Sequence, residues 1–99
     1  MIQHDVMIKL IDLPENQKKE KREKIKEILE GLKNEIPEIK SIKVGINISP
    51  RPIAFDLIAS SKFETKENLE TFRAHKAHLK AVEFIQAVEK QSVLVDHIV

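Results

Sequence analysis

The first ten residues alternate between apolar and polar side chains. The even positions carry apolar residues and one histidine, in the order Ile2, His4, Val6, Ile8 and Leu10. The odd positions from residue 3 to residue 9 are mostly polar. A period of two residues is typical of a strand with one buried face. The pattern therefore predicts a first strand with a histidine on its apolar side.

A long charged segment follows, and its apolar residues recur at helical spacing. Pro14 stands where the first turn of a helix tolerates a missing N–H group. Ile28, Leu29, Leu32 and Ile36 then follow Ile25 at offsets of 3, 4, 7 and 11 residues. We predict a helix from Pro14 to about Glu35, ended by Pro37. Charges of both signs alternate along residues 18–26, which is typical of a solvated helix face.

Residues 39–59 return to strand spacing and predict a hairpin. The apolar residues of the second strand are Ile39, Ile42, Val44, Ile46 and Ile48. The segment Ser49-Pro50-Arg51-Pro52 predicts a turn, because two prolines within three residues cannot continue a hydrogen-bonded ladder. A third strand is predicted over residues 53–59, with apolar side chains on both of its faces.

The last third of the chain predicts two helical segments and a strand. Thr65 is a suitable N-cap for a short helix that holds Leu69 and Phe72. Residues 75–78 predict a break before a second segment, whose apolar residues are Leu79, Val82, Ile85 and Val88. Residues 93–99 predict the last strand. The order β-α-β-β-α-β predicts an α+β, ferredoxin-like sandwich in which four antiparallel strands carry the helices on one face.

Such a sheet leaves one face without a cover. The third strand and the stretch Val93-Leu94-Val95 offer apolar residues to both faces. We expect an identical chain, related by a two-fold axis, to cover the second face and close two sheets into a dimeric α/β barrel. Burial worth ~25 cal/mol per Å² of apolar area favours an obligate homodimer. The alternative is a monomer with a polar outer face, which Lys9, Lys43 and Asp56 would support.

Composition narrows the range of partners. Ninety-nine residues suit one domain, residues 1–99, with a single core. Seventeen Lys and Arg against sixteen Asp and Glu leave a net charge of +1, so we expect no nucleic-acid partner. The absence of cysteine excludes disulfides, thiolate metal sites and cysteine nucleophiles. Polar residues interrupt residues 2–11, which therefore predict neither an export signal nor a membrane span, and we expect a cytoplasmic protein.

Several spaced features together resemble the stress-responsive α/β-barrel domain family. In chain order they are His4-x-Val6-x-Ile8, Pro37-x-Ile39, Val44-Gly45, Asn47-x-Ser49, Phe55-Asp56-Leu57, Phe63, Leu69-x-x-Phe72-x-x-His75-x-x-His78 and Asp96. The resemblance covers almost the entire chain. It implies a small homodimeric α+β barrel protein.

The resemblance also implies which residues correspond to a known active site. One plant branch of the family contains a polyketide cyclase, which performs an intramolecular aldol condensation in a pocket between sheet and helices. Its catalytic histidine corresponds to His78, and the family's early-strand histidine corresponds to His4. Its tyrosine corresponds to Phe72, which has no hydroxyl to stabilise an enolate. Lys76 also replaces the family's usual proline, so we expect the fold without the cyclase activity.

Strand parity and helix stripes predict one pocket between helices and sheet within a subunit. His78 and His4 are its candidate catalytic residues, because an imidazole that titrates near neutrality is able to move a proton from an acidic carbon. The alternative is a pair of core histidines held by backbone or side-chain partners. The predicted lining of the ligand pocket consists of Val6, Ile8, Ile25, Leu29, Leu57, Phe72, Val82 and Leu94.

Other chemistry has weaker signals in the sequence. His75 and His78 have the spacing of a metal-binding pair, but no third ligand is evident, so we expect no metal. Nucleotide-binding motifs, a nucleophile elbow and HExxH are absent, so we expect no cofactor. Asp56 and Asp96 are interpreted as partners of Lys, Arg or backbone N–H groups at strand ends or at the dimer seam.

Three classes of function remain. The first is a barrel that binds a small apolar or aromatic molecule without catalysis, which is our main expectation. The second is a small acid–base enzyme, cyclase-like or lyase-like, with His78 as base. The third, an acylphosphatase-like enzyme, needs a phosphate-cradling loop after the first strand, where Asp12-Leu13-Pro14-Glu15 is acidic and rigid. A dimeric-barrel monooxygenase is a further enzyme option, and no residue singles out oxygen chemistry.

Overall fold

A four-stranded antiparallel sheet with three α-helices appears in the computed structural model, which describes residues 1–99. The elements are β1 (Ile2–Leu10), α1 (Glu15–Gly31), β2 (Ser41–Ile46), β3 (Leu57–Phe63), α2 (Lys66–Ala74), α3 (Lys76–Gln86) and β4 (Glu89–Ile98), with a 3-10 turn at Leu32–Asn34. The strands are ordered β2-β3-β1-β4. The predicted α+β, ferredoxin-like fold is therefore confirmed, with the second helical region divided at His75.

The pairing of β1 with both neighbours decides which side chains share a face. His4 lies opposite Ser61 of β3 and Asp96 of β4, and Val6 lies opposite Ala59 and Leu94. Directly opposite residues of antiparallel strands project to the same side of the sheet. The even positions of β1 therefore form the inner face together with these partners, as the alternation of residues 2–10 predicts.

The hydrophobic core lies between this inner face and the helices. Each helix contributes two buried residues at helical spacing, which are Ile25 and Leu29 of α1, Leu69 and Phe72 of α2, and Ala81 and Ile85 of α3. The Thr65 hydroxyl accepts a hydrogen bond from the Asn68 N–H (3.1 Å) and caps α2 as predicted. The helices therefore cover one face of the sheet only.

The position of β3 differs from the prediction. The strand runs from Leu57 to Phe63 instead of covering residues 53–59. Residues 47–56 form a loop, in which the carboxylate of Asp56 accepts a hydrogen bond from the Leu10 N–H (2.8 Å) and faces Arg22 (3.5 Å). The strand continues through polar residues because Ser60, Ser61 and Lys62 pair with both β1 and β2. The buried hydroxyl of Ser61 is satisfied by the carbonyl of His4 (3.4 Å).

The two edge strands also differ from the predicted bounds. The second strand ends at Ile46, and Asn47 closes a side-chain hydrogen bond with the N–H of Ser49 (3.0 Å) at the start of the loop. The last strand begins at Glu89, four residues before the predicted start at Val93. Backbone pairing with β1 holds Glu89, Gln91 and Ser92 in the sheet although their side chains are polar or charged, and the register shifts by one residue at Lys90.

Side chains of α1 cover the free edge of β2. The Val44 N–H donates to Glu30 Oε2 (2.9 Å), and Lys26 Nζ donates both to the Val44 carbonyl (2.7 Å) and to Glu30 Oε2 (3.0 Å). Both outward backbone groups of Val44 are therefore satisfied within the chain. A strand edge occupied in this way cannot pair with a strand of another molecule at that position.

The outer face of the sheet carries an apolar patch without a cover. Its members are exposed to between 40 and 60% and comprise Met7, Ile58, Val93 and Val95. Next to them, His97 Nε2 lies 2.8 Å from Asp5 Oδ2 across β1 and β4. The outer face is therefore apolar at its centre, as expected. Asp56, which would have supported a polar outer face, lies in the loop and does not contribute to this face.

Candidate functional site

A cavity of about 220 Å³ lies between α3 and the inner face of the sheet. One face of α3 lines it with His78, Val82, Ile85 and Gln86, at spacings of four, seven and eight residues. The sheet contributes His4, Val6, Ile8, Ala59, Ser61, Ser92 and Leu94. Leu29, Ile42, Phe72, Arg73 and Glu89 complete the lining.

The structure brings most of the predicted site residues together. The members of the predicted set that line the cavity are His4, Val6, Ile8, Leu29, Phe72, His78, Val82 and Leu94. Ile25 and Leu57 do not line it, because they are 0% and 2% exposed and lie closed off inside the core. His4 and His78 thus reach the same side of the sheet, as strand parity predicts.

Sequence reasoning missed several lining residues, and two kinds of signal would have found some of them. Ala59 shares a face with Leu57 in the predicted third strand but was not included in the predicted lining, and Ser61 lies beyond the predicted end of that strand at residue 59. Ser92 shares the parity of Leu94 and was excluded because the last strand was predicted to begin at Val93. Ile85 has helical spacing to His78 and Val82, which was a usable signal, whereas nothing in the sequence pointed to Ile42, Arg73, Gln86 or Glu89 as part of the cavity wall.

His4 is a buried histidine whose ring is oriented by a carboxylate. Its Nδ1 atom forms a very short contact with Oδ1 of Asp96, which lies directly opposite on β4. Because a carboxylate only accepts hydrogen bonds, Nδ1 carries the proton. Nε2 has no partner within the protein. Asp96 was expected to pair with Lys, Arg or a backbone N–H group, and the structure shows a histidine partner instead.

His78 lies in the first turn of α3, where its ring is oriented by the backbone. His75 caps this helix, because its Nδ1 atom accepts a hydrogen bond from the Ala77 N–H (3.0 Å). The Nδ1 atom of His78 donates to the carbonyl of Arg73 (3.1 Å), which leaves a lone pair on Nε2 in the neutral ring. No protein group bonds to that Nε2 atom.

The surroundings of His78 favour its neutral form. Burial is the largest cause of a lowered pKa of His78, and electrostatic interactions with His4 and Arg73 act in the same direction. The hydrogen bond to the Arg73 carbonyl opposes these effects without outweighing them. His78 is therefore an uncharged imidazole at neutral pH, with its basic nitrogen free.

Phe72 packs against both histidine rings. Its ring centroid lies 4.3 Å from that of His78, 6.0 Å from that of His4 and 5.0 Å from that of Phe63. The two imidazoles therefore share one cavity with an apolar ring that lies near both. The arrangement is able to accept and donate protons at two nitrogens, and it contains no phenol.

Other classes of site have no support in the geometry. The structure contains no group of three His, Cys, Asp or Glu side chains that would hold a metal ion. His75, one member of the predicted metal-spaced pair, uses its ring as a helix cap. No helix is both long enough and apolar enough to cross a membrane.

Fold and site together define a small α+β domain of ferredoxin-like topology with a histidine-bearing cavity between helices and sheet. The model of the stress responsive A/B barrel domain family matches residues 2–99. The chain therefore belongs to this family. No curated protein matches the sequence.

Solved structures with the same fold include dimeric proteins and a hydroxynitrile lyase. A dimeric protein of unknown function from Bacteroides fragilis is 25% identical, with a TM-score of 0.91 over 99% of this chain and 95% of that one. A dimeric ferredoxin-like protein from Thermobifida fusca is 18% identical (TM-score 0.83, covering 99% and 90% of the two chains). The hydroxynitrile lyase of Passiflora edulis is 19% identical (TM-score 0.82, covering 99% and 92%).

Proposed function

We propose that the cavity binds a compact apolar or aromatic molecule and supports proton transfer on it. Most of the lining is hydrophobic, and the volume of about 220 Å³ exceeds the ~150 Å³ in which an engineered apolar cavity holds benzene. The observation that carries the proposal is that two imidazoles, each with its Nδ1 atom bonded, leave their Nε2 atoms free at this one cavity. Apolar walls with a few convergent polar groups are typical of small-molecule sites.

The two histidines differ in what they contribute to proton transfer. Neutral His78 is the general base, since its Nε2 lone pair is available to take a proton from an acidic C–H or O–H bond. His4 returns a proton or stabilises negative charge, because the carboxylate of Asp96 stabilises an imidazolium formed on that ring. A positioned acid or base contributes ~10²–10⁴-fold to a rate. The lyase of Passiflora edulis supports this class of reaction, because the same fold there belongs to an enzyme.

A binding function without catalysis is the second candidate, and Phe72 favours it. The position that lies against His78 carries a benzyl ring, which has no hydrogen-bond donor for an enolate or a carbonyl oxygen. Loss of one such donor typically costs ~10²–10³ in rate. We therefore expect little or no cyclase activity on linear polyketide acids.

Binding is tested by NMR titration of the ¹⁵N-labelled protein with toluene. The amides of β1 and α3 are expected to shift in the native protein. Ala59→Phe places a ring on the cavity floor and is expected to abolish the shifts. Ser60→Phe adds the same ring on the outer face, one residue along β3, and is expected to preserve them. Equal binding by both variants would contradict the assigned site.

Catalysis is tested with a small aryl ketone, whose acidic C–H bond exchanges with deuterated solvent. Native protein is expected to accelerate this exchange above the buffer rate, and His78→Ala is expected to lose at least ~10²-fold of the acceleration. Phe72→Tyr reports whether a phenol at this position raises the rate. Exchange at the buffer rate in all three proteins, together with toluene binding, would establish the non-catalytic candidate.

The proposed assembly is a homodimer that buries the outer apolar patch. Dimeric fold neighbours support it, as does the exposure of Val93 and Val95 on a face that no helix covers. Sedimentation equilibrium at low micromolar concentration is expected to return twice the 11.4 kDa chain mass. Val95→Lys is expected to give monomers, and Gln91→Lys, on the same face of β4, serves as control. A monomeric native protein would refute the assembly.

A further inference from the structure

Arg73 is a charged residue at the cavity that no partner in the chain neutralises. It lies in the last turn of α2 and lines the cavity beside His78. Its guanidinium is absent from all ion pairs and side-chain hydrogen bonds of the protein. Arg22, in contrast, pairs with two carboxylates, Glu15 (2.6 Å) and Asp56 (3.5 Å). Arg73 is exposed to solvent, and none of its five N–H donors is bonded within the chain, so they are available to a ligand that enters the cavity.

Arg73 lines the histidine end of the cavity. Its backbone carbonyl accepts the hydrogen bond from His78 (3.1 Å), so the residue that carries the charge lies directly against this histidine. Its positive charge is one of the causes that lower the pKa of His78. Two carboxylates lie near the cavity, and Asp96 is bonded to His4 behind the cavity wall. Glu89, which lines the wall, pairs in register with Leu10. Six residues of β1 separate that position from His4, which corresponds to roughly 20 Å of strand.

The size of the cavity limits what accompanies an anionic group. About 220 Å³ accommodates one benzene-sized ring, which needs ~150 Å³, and leaves room for a group of a few atoms. The walls that remain for the ring are apolar and include Leu29, Val82 and Leu94. A planar carboxylate is the anion that fits both this remaining space and the fork of an arginine, which binds it through two parallel hydrogen bonds.

We propose that the ligand of this cavity is a small aromatic or branched aliphatic carboxylate, and that Arg73 binds its carboxylate group. This inference rests on the proposed function of the cavity as a small-molecule site. The ring or branched chain then lies along α3 beneath Val82, with the histidines beside the carboxylate end. Arg73 thus determines specificity, and His78 and His4 act on the bound molecule.

The test compares two probes that differ only in charge. Benzoate and its neutral analogue benzamide are titrated into the ¹⁵N-labelled protein at constant ionic strength. Native protein is expected to prefer benzoate. Arg73→Gln is expected to weaken benzoate binding by about 10–100-fold, the usual effect of removing a charged hydrogen bond, and to leave benzamide binding unchanged. Lys80→Gln removes an exposed cation of α3 that does not line the cavity, and is expected to change neither.

A second variant separates ligand binding from a structural role of Arg73. A cation in the last turn also stabilises α2 through the helix dipole. Arg73→Lys keeps that charge, so unchanged stability with weaker benzoate binding supports the proposal. Equal affinities for benzoate and benzamide in native protein, or benzoate binding that survives Arg73→Gln, would overturn it while leaving the cavity as a binding site. Failure of benzoate, benzamide and toluene alike would overturn the proposed function as well.

Discussion

Substitution of Glu30 by alanine would open the protected edge of the sheet. Its Oε2 atom accepts hydrogen bonds from the Val44 N–H (2.9 Å) and from Lys26 Nζ (3.0 Å). Glu30→Ala removes both acceptor interactions and leaves Lys26 bonded only to the Val44 carbonyl. The backbone N–H of Val44 then has only water as a hydrogen-bond acceptor, at the position where side chains of α1 hydrogen-bond to β2.

The expected loss of stability follows from these two contacts. A hydrogen bond to a charged group contributes about 1.5–3 kcal/mol when shielded from water. The side chain of Glu30 is 35% exposed, so solvent screening reduces that contribution to roughly 1–1.5 kcal/mol. The ion pair with Lys26, four residues away on the helix, adds about 0.3–0.5 kcal/mol. We therefore expect Glu30→Ala to lower the free energy of unfolding by about 1.3–2 kcal/mol.

The same contribution depends on pH with a definite sign. Hydrogen bonds from the Val44 N–H and then from Lys26 lower the pKa of Glu30 below its ordinary value of 4.5. The unfolded chain therefore takes up the proton first as the pH falls. The stabilisation is complete above pH 4.5 and is lost as the pH falls through the lower pKa of the folded state. The difference in stability between native protein and Glu30→Gln is expected to shrink over that acidic range.

Urea unfolding followed by far-ultraviolet circular dichroism measures these differences. Glu27→Ala is the matched control, because Glu27 lies in the same helix, is 76% exposed and contacts only Lys24 at 3.9 Å. This control is expected to stay within about 0.5 kcal/mol of the native protein. Losses that are equal in the two alanine variants would refute the assignment of Glu30 as the residue that protects the edge.

Three further predictions concern the site. Burial lowers the pKa of His78 in the folded state below the 6.5 of the unfolded chain. The unfolded chain therefore binds the proton first, and the free energy of unfolding is expected to fall as the pH drops from 6.5 to the folded-state pKa. His78→Gln should flatten this pH dependence in urea unfolding. Phe72→Ala is expected to cost about 3–5 kcal/mol, so a loss below about 1 kcal/mol would contradict its placement in the core. Asp96→Ala is expected to leave His4 in a mixture of tautomers, visible in its ring ¹⁵N shifts, whereas one unchanged tautomer would show that Asp96 does not orient the ring.

Periodicity in the sequence was sufficient to predict the faces of the elements. The alternation around His4 placed this histidine on the inner face, and the helical spacing of Phe72 and His78 brought them to the same layer. The reason is geometric, because a period of two or of 3.6 residues maps directly onto the side of a strand or helix. The family resemblance and the ferredoxin-like fold were therefore accessible before any coordinates.

Register and layer spacing were decided only by the tertiary structure. Asp96 meets His4 because β4 pairs with β1 in one register, and residues 92 positions apart in the chain carry no local signal of that pairing. The local pattern likewise did not distinguish Ile25, which is sealed in the core, from Leu29 one turn later, which lines the cavity. Arg73 reaches the cavity because α2 ends beside the first turn of α3. The sequence by itself thus determined which side chains face inward, and the packing of distant segments determined which of them surround an open space.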